Sequence, residues 1–142
     1  MFSTALLKKF QSVNTPFYYY DTKLLLETLK AAKKGADKYN IELHYALKAN
    51  SNKNILKHIK NAGFGADCVS GNEVKRASEY GFKADKIVFA GVGKSDEEIR
   101  FALKKNIFSF NCESIEELEV INEIAKSENK KARVALRIKP NV

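Results

Sequence analysis

The feature that most constrains the fold is a regular alternation of strand-like and helix-like runs along most of the chain. The strand-like runs start near Leu43, Gly65, Lys86, Ile107 and Ala132, and the helix-like runs between them cover residues 53–61, 71–80, 96–105 and 115–127. Three of these helices are predicted to begin with a capping box, in which a serine oxygen and a glutamate carboxylate accept unpaired backbone N–H groups. The three pairs are Ser70 with Glu73, Ser95 with Glu98, and Ser114 with Glu117.

This alternation predicts parallel βαβ units joined by right-handed crossovers. Ahead of it, Phe17 to Tyr20 is predicted as a short strand, and Asp21 is expected to cap a helix from Thr22 to about Tyr39. Two architectures fit the pattern, an open doubly wound sheet and a (β/α)₈ barrel. In both, functional residues collect at the carboxyl ends of the strands. Those ends hold Lys48, Ser70, Gly91, Glu113 and Lys139.

Composition excludes several classes of function. The net charge of +8 comes from lysines scattered among acidic residues, with no basic block interleaved with aromatics, so we do not expect nucleic-acid binding.

Cys68 and Cys112 have no partners at metal-ligand spacing, and we interpret them as buried reduced thiols. We interpret His44 and His58 as structural or exposed residues. No metal site is expected. The chain shows neither a secretion signal nor a membrane-spanning run, which predicts a soluble, cytoplasmic protein.

Lys48 is the strongest candidate for chemistry. The run Ile41 to Ala49 is predicted as a strand, with Ala46, Lys48 and Asn50 on one face. A lysine on a buried strand face is costly for stability, and the usual solutions are a lowered pKa or a covalent use of the amine. Such an amine suits Schiff-base chemistry with an aldehyde cofactor. The alternative is a lysine near a strand end whose charge reaches solvent.

A second motif invites a nucleotide-binding interpretation. Gly91-Val-Gly-Lys94-Ser95 follows a strand and opens a helix, as a phosphate-binding P-loop does. The P-loop requires a first glycine at the position that Val88 occupies, and Ser95 is already explained as a helix cap. The pattern therefore argues against a P-loop.

Six segments of the chain resemble segments of a known family. Tyr45-Ala-Leu-Lys48-Ala-Asn50 is similar to the cofactor-lysine motif of the fold type III pyridoxal-phosphate enzymes, the alanine racemase and amino-acid decarboxylase group. Five further segments, in the same order as in the family, resemble the diaminopimelate decarboxylases among them. They are residues 15–21, 65–73, 87–95, 110–114 and 137–142. The resemblance covers essentially the whole chain.

The resemblance implies roles for three residues. Lys48 matches the lysine that binds pyridoxal 5'-phosphate covalently, Asp67 a cofactor-proximal aspartate, and Arg137 an arginine that points toward the cofactor. From the residues alone, the alternatives are a turn residue for Asp67 and a lysine-like surface charge for Arg137. Glu73 is interpreted as a capping residue rather than a ligand. The departures from the family pattern lie near the site: they are Asn72, where the family usually has glycine, and Lys139, where it has asparagine.

For the fold, the resemblance implies a partial (β/α)₈ TIM barrel of the alanine racemase-like type. The chain has 142 residues, whereas a complete barrel takes roughly 250, so about five of eight βα units are expected. Residues 1–21 would lead into the barrel, and residues 22–142 would form the N-terminal part of the pyridoxal-phosphate-binding domain. The remaining barrel and a C-terminal β-domain would lie beyond this segment.

For activity, the resemblance implies decarboxylation of meso-2,6-diaminopimelate to L-lysine and CO₂, the last step of lysine biosynthesis. The full-length enzyme is expected to be a homodimer, and this segment alone is expected to be inactive. Two alternatives stay open: a decarboxylase of another basic amino acid such as ornithine or arginine, and a non-catalytic regulatory relative that binds pyridoxal phosphate.

Overall fold

The computed structural model describes residues 2–140 of the chain. In chain order its elements are α1 (Thr4–Gln11), α2 (Thr22–Lys38), β1 (His44–Ala46), α3 (Lys53–Asn61), β2 (Gly65–Cys68), α4 (Gly71–Glu79), β3 (Ile87–Phe89), α5 (Asp96–Lys105), β4 (Ser109–Cys112), α6 (Ile115–Ser127) and β5 (Val134–Leu136). Asn141 and Val142, which end the predicted barrel segment, lie outside the described residues, as does Met1. The strand–helix alternation predicted from the sequence is confirmed.

The five strands form one parallel sheet in the order β1-β2-β3-β4-β5. A doubly wound sheet reverses its strand order at a switch point, because its helices cover both faces. Here each strand pairs with the next one in the chain, which is the arrangement of consecutive units around a barrel. The predicted fold class, a partial (β/α)₈ barrel, is confirmed, and the doubly wound alternative is wrong.

The core lies between the sheet and its helices. Alternate strand residues, among them Ala66, Cys68, Phe89, Phe110 and Cys112, are buried against apolar side chains of α3 to α6. Because successive strand residues point to opposite faces, the residues between them face the other side of the sheet. That side corresponds to the interior of the barrel, and it carries polar side chains.

The N-terminal segment differs from the prediction. Phe17 to Tyr20 contains no strand, and Thr4–Gln11 forms a helix, α1, that was not predicted and is capped by Ser3. The aromatic rings of Phe17 and Tyr19 pack against Phe10 of α1, with centroids 5.4 and 5.1 Å away. The alternation that resembled a strand therefore serves a local aromatic cluster on a helix.

Two observations bear on the environment of the chain. Of the helices in residues 2–140, none combines the length and apolar character needed to cross a membrane. Cys68 and Cys112 are both free and buried, and burial raises the pKa of each thiol above its usual range. At neutral pH both side chains are protonated thiols, which are poor nucleophiles and poor metal ligands.

Candidate functional site

A cavity of about 590 Å³ with both apolar and polar lining residues opens on the barrel-interior face of the sheet. This volume is typical of small-molecule sites. Its apolar wall comes from Val88, Ala90 and Phe108, among others. Its polar lining is contributed by four strands and the residues that follow them: His44, Asp67, Ser109, Asn111, Glu113 and Arg137. The cavity therefore brings together Asp67 and Arg137, two of the three residues predicted for the site.

Lys48 lies at the carboxyl end of β1, but not on a strand. The strand stops at Ala46, and residues 47–49 form a single 3₁₀ turn. Leu47 is fully buried in the core, whereas Lys48 is exposed. The predicted strand is therefore present only over His44–Ala46 instead of Ile41 to Ala49, and the predicted burial of Lys48 is wrong. The chain turns because Leu47 enters the core, and this turn leaves the neighbouring amine accessible at the rim of the barrel.

The turn that carries Lys48 is braced by a short chain of hydrogen bonds. The Tyr45 hydroxyl donates to the Asn50 carbonyl at 3.2 Å, and the Asn50 amide group donates to the Tyr20 hydroxyl at 2.9 Å. The Asn50 side-chain oxygen also accepts the Asn52 N–H at 2.9 Å. Burial of Tyr45 raises the pKa of its hydroxyl, which therefore remains a donor at neutral pH. Both ends of the turn are thus fixed while Lys48 itself remains accessible.

Asp67 offers an unused acceptor in the cavity. It pairs with Ala46 across the sheet, two residues before Lys48. Within the described part of the chain its Oδ1 atom is buried without a hydrogen-bond partner, and so is Nε2 of His44. A buried polar atom without a partner costs about 1–3 kcal/mol, so we expect an ordered water or a bound group to complete the bonding. The interpretation of Asp67 as a turn residue is wrong, since it lies within β2.

His44 forms the lower wall of the same cavity. Its ring lies over Gly65 of the neighbouring strand, where an added methyl group would overlap it, and it stacks with Phe108 at 6.3 Å between centroids. Burial lowers the pKa of His44, although the carboxylates of Glu42 and Asp67 act in the opposite direction. His44 is therefore neutral at neutral pH.

Arg137 is held by a specific partner. Its Nη1 donates to Oε1 of Glu113 at 2.8 Å, and its backbone N–H donates to the Cys112 carbonyl at 2.9 Å. The Glu113 side chain is only 9% exposed, whereas that of Arg137 is 59% exposed. Arg137 is thus an exposed charge, as in the surface-charge interpretation, but it is also paired with a largely buried carboxylate and lines the cavity.

Lys94, the lysine of the false P-loop, is enclosed in the structure. Its side chain is 1% exposed, and its ammonium donates to Gly91 O at 2.7 Å, Asn111 O at 3.0 Å and Glu117 Oε1 at 2.5 Å. An ammonium has three donors, and all three are used. Lys94 is therefore not available to a phosphate. Sequence reasoning missed this burial because the acceptors come from separate segments of the chain.

The three predicted capping boxes are realised in two ways. Ser95 and Glu98 form the complete box at the start of α5. At α4 and α6, Ser70 and Ser114 accept the expected backbone N–H of the helix. The two glutamates, however, accept the N–H of the residue before the capping serine instead of the N–H of the serine itself. Those two N-caps have φ of −151° and −149°, against −77° for Ser95, which changes the direction of the preceding chain.

The shifted bonds lie beside the cavity. Glu73 accepts the Val69 N–H at 2.8 Å, and Glu117 accepts the Glu113 N–H at 2.7 Å. Glu73 is thus a capping side chain, as predicted. Within the described residues no three His, Cys, Asp or Glu side chains converge in a way that would hold a metal ion. The cavity itself therefore offers an unpaired carboxylate oxygen and a guanidinium held by a carboxylate, and the accessible amine of Lys48 lies outside its lining, at the end of the adjacent strand.

Comparison with known proteins gives this geometry a context. A family model described as the pyridoxal binding domain of pyridoxal-dependent decarboxylases matches residues 23–142. A diaminopimelate decarboxylase of Bacteroides thetaiotaomicron is 56% identical over 137 residues, which cover 96% of this chain and 36% of the relative. Another, of Helicobacter pylori, is 48% identical over 133 residues, covering 94% of this chain and 33% of the relative. The chain spans about a third of the length of these relatives.

Solved structures agree with this result. The crystal structure of diaminopimelate decarboxylase from Helicobacter pylori complexed with L-lysine matches at a TM-score of 0.88 and 46% identity, covering 96% of this chain and 35% of that one. The enzyme from M. jannaschii, also in complex with L-lysine, matches at 0.85 and 36% identity, with 96% and 33% covered. The family model spans most of the chain, and the solved structures have the same fold as the chain. The chain therefore belongs to the family of pyridoxal-dependent decarboxylases, and the part of the family that it matches is the pyridoxal binding domain.

Proposed function

We propose that this chain is the N-terminal part of a pyridoxal-phosphate-dependent enzyme that decarboxylates meso-2,6-diaminopimelate to L-lysine and CO₂. Similarity to relatives named diaminopimelate decarboxylase supports this, since it extends over nearly the whole chain. Residues 1–21 would lead into the barrel and residues 22–142 would form the first part of the cofactor-binding domain. The rest of the active site would be supplied by chain beyond this segment. We further propose a cytoplasmic homodimer.

The observation that carries the proposal is that an accessible amine and an unpartnered buried acceptor lie at the ends of adjacent strands. An aldehyde cofactor needs an accessible primary amine, and Lys48 presents one at the carboxyl end of β1. A pyridoxal ring with polar substituents needs hydrogen-bonding groups, and the buried, unpartnered Oδ1 of Asp67 lies on the adjacent strand. When bound, pyridoxal phosphate supplies an electron sink for the carbanion that decarboxylation leaves.

Each predicted residue then has a distinct task. Lys48 would bind the cofactor covalently and release it when the amino group of the substrate takes its place. Through its unpartnered Oδ1, Asp67 would accept a hydrogen bond from the cofactor or from a water bound to the cofactor. Arg137, fixed by Glu113, would direct positive charge toward anionic groups in the cavity. These roles are proposals for the complete enzyme.

The test is to identify the lysine that binds the cofactor. In the complete protein that carries this chain, borohydride reduction after addition of pyridoxal phosphate should label Lys48, as read by peptide mapping. Lys48→Ala should abolish CO₂ release from meso-diaminopimelate with little effect on the fold, because Lys48 is exposed. Lys53→Ala, at another exposed lysine nearby, is the matched control and should retain activity.

The contrary outcomes separate the alternatives. Label on a different lysine, with Lys48 unmodified, would overturn the mechanistic assignment. CO₂ release from ornithine or arginine in preference to diaminopimelate would replace the substrate while retaining the cofactor. Stoichiometric labelling of Lys48 without decarboxylation of any basic amino acid would indicate a regulatory relative.

A further inference from the structure

We propose that Lys94 and Glu117 form a buried positioning pair, which fixes Glu113 and through it holds the Arg137 guanidinium at the cavity. The part of this proposal that concerns the cofactor rests on the proposed function. The part that concerns the placement of Glu113 and Arg137 stands on the hydrogen bonds alone. Neither Lys94 nor Glu117 lines the cavity, so both would act through other residues.

The side chains of Lys94 and Glu117 are enclosed by the protein. Lys94 is 1% exposed and Glu117 is 14% exposed, and their charged atoms are 2.5 Å apart. Two charges removed from water are stable only when the remaining donors and acceptors are also used. Here the other two donors of Lys94 bond the carbonyls of Gly91 and Asn111, so the ammonium joins the loop after β3, the end of β4 and the start of α6.

The second step runs from Glu117 to Glu113. One carboxylate oxygen of Glu117 accepts from Lys94, and the other accepts the Glu113 N–H at 2.7 Å. A carboxylate that uses both oxygens in this way has one position and one orientation. The backbone of Glu113 is therefore tied to a buried ion pair rather than to solvent.

The third step runs from Glu113 to the cavity. Its side chain is 9% exposed and accepts from Nη1 of Arg137 at 2.8 Å, across from β4 to the end of β5. Arg137 lines the cavity together with Asp67. A long arginine side chain has many rotamers, and a fixed carboxylate partner reduces them before any ligand binds.

The start of α5, which directly follows the loop that carries Lys94, is itself held from the other side. Glu98 accepts the Gly71 N–H of α4 at 2.6 Å, so α5 is joined to the preceding unit as well as to the following one. Gly91 has φ +101° and lies against the Val69 carbonyl, where an added Cβ would come within 2.8 Å. Lys94 thus works from a rigid support, which a positioning role requires.

The experiment compares Lys94→Met with Lys130→Met in the complete protein. Lys130 also donates from a partly buried ammonium to a backbone carbonyl, that of Leu103, but it lies away from the cavity and makes a matched control. Hydrogen exchange of the Glu113 amide, in protein without cofactor, is the direct readout. It should accelerate in Lys94→Met and remain unchanged in Lys130→Met. The Val69 amide, which bonds Glu73, should be unaffected in both.

The second readout is a double-mutant cycle on pyridoxal phosphate binding, followed by absorbance. Lys94→Met should weaken binding about tenfold, and this loss should disappear in an Arg137→Met background because the two changes act through one contact. Equal losses with and without Arg137 would overturn the positioning role. Unchanged exchange at Glu113 in Lys94→Met would overturn it as well.

Two precautions keep the outcomes separate. If Lys94→Met does not fold, Glu117→Gln takes its place, since glutamine keeps the size of the side chain, its one acceptor oxygen is taken by the charged Lys94 ammonium, and its NH₂ group cannot accept the Glu113 N–H. The same accelerated exchange at Glu113 is expected, and its absence counts against the proposal. If the complete protein binds no pyridoxal phosphate at all, the proposed function fails, whereas amide exchange still decides whether Lys94 positions Glu113.

Discussion

Two turns of this chain share a local motif and put it to different uses. The turn from β2 to α4 contains Asp67-Cys68-Val69-Ser70, with Glu73 three residues on, and the turn from β4 to α6 contains Asn111-Cys112-Glu113-Ser114, with Glu117 three residues on. In both, the cysteine is buried, the serine caps the helix and the glutamate bonds the N–H of the residue before the cap.

The difference lies in what completes the bonding. In the first turn, Glu73 bonds only the backbone, and the buried Oδ1 of Asp67 has no partner among the described residues. In the second turn, Glu117 is paired with Lys94 and Glu113 with Arg137. The first turn therefore presents an unpaired acceptor to the cavity, whereas the carboxylates of the second turn are paired with basic side chains from other segments. A motif that forms the same backbone can thus serve either binding or support, depending on residues far away in sequence.

The two turns should differ most in stability when the glutamate of each, Glu117 or Glu73, is replaced by alanine. Glu117→Ala leaves the Lys94 ammonium buried without its counter-charge and should lower the free energy of unfolding by about 3–5 kcal/mol. Glu73→Ala removes a single backbone bond at a half-buried site and should cost about 1 kcal/mol. Urea titration of both variants in the complete protein measures the two losses. Equal losses would mean that the Lys94 pair adds nothing to the second turn.

A second contrast concerns the first residue of each helix. At Gly71 an added methyl group would lie 2.9 Å from Cβ of Glu98, so Gly71→Ala should destabilise by about 1–3 kcal/mol through overpacking. The matching residue of α6 is Ile115, which is 70% exposed. Ile115→Ala should change stability by no more than about 0.5 kcal/mol. Thermal unfolding of both variants checks the difference, and a stable Gly71→Ala protein would show that Glu98 can move aside.

A third contrast exchanges the residues that face the cavity. Asp67→Asn removes a carboxylate with an unpaired buried oxygen and should leave stability unchanged or raise it by about 1 kcal/mol, while pyridoxal phosphate binding falls about tenfold. The reciprocal change, Asn111→Asp, places a carboxylate near Glu113 and should destabilise by about 1 kcal/mol. Unfolding and absorbance titrations measure both. A destabilised Asp67→Asn protein with normal cofactor binding would assign Asp67 to structure.

The smallest expected effect is a pH dependence contributed by His44. Burial lowers its pKa below the usual value of about 6.5, so the unfolded chain binds the proton more readily than the folded one. The contribution of His44 to stability is therefore intact above about pH 6.5 and is lost as the pH falls toward the folded pKa. The surrounding charges are Glu42, Asp67 and Lys86.

His44→Gln, which does not titrate, isolates this contribution. The variant should show a flatter loss of stability between neutral and mildly acidic pH, measured by urea titration at each pH. An unchanged pH profile would mean that other groups dominate. The comparison with the wild type also reports on the second unpaired atom of the cavity, Nε2 of His44.

Local signals accounted for most of the fold. Serine caps, apolar periodicity and strand-like runs predicted the elements from α2 onward, because each of these signals acts over a few residues. The failures were also local. Tyr45 and Leu47 alternate as in a strand, yet Leu47 enters the core and turns the chain. Phe17 and Tyr19 alternate likewise, yet they pack on Phe10.

The site was predicted less completely, and for a different reason. Lys48 was first indicated by its position in a strand-like run, whereas Asp67 and Arg137 were found only through a resemblance, and these last two line the cavity. The enclosure of Lys94 depends on acceptors at Gly91, Asn111 and Glu117. Two of these become neighbours only when the sheet has formed, so no spacing rule along the chain could have indicated them.

The strand order has a consequence for synthesis. From β2 to β5, each strand of this sheet pairs with the strand that the ribosome has delivered just before it, so none of these four strands of residues 2–140 waits for a partner from later in the chain. The entropy lost in closing a short crossover is modest, and domains generally begin to fold from the N-terminus during translation. Every newly added unit also covers the open edge left by its predecessor, which shortens the time that this edge is available to other chains. A chain of this topology can therefore acquire its structure in the order in which it is made.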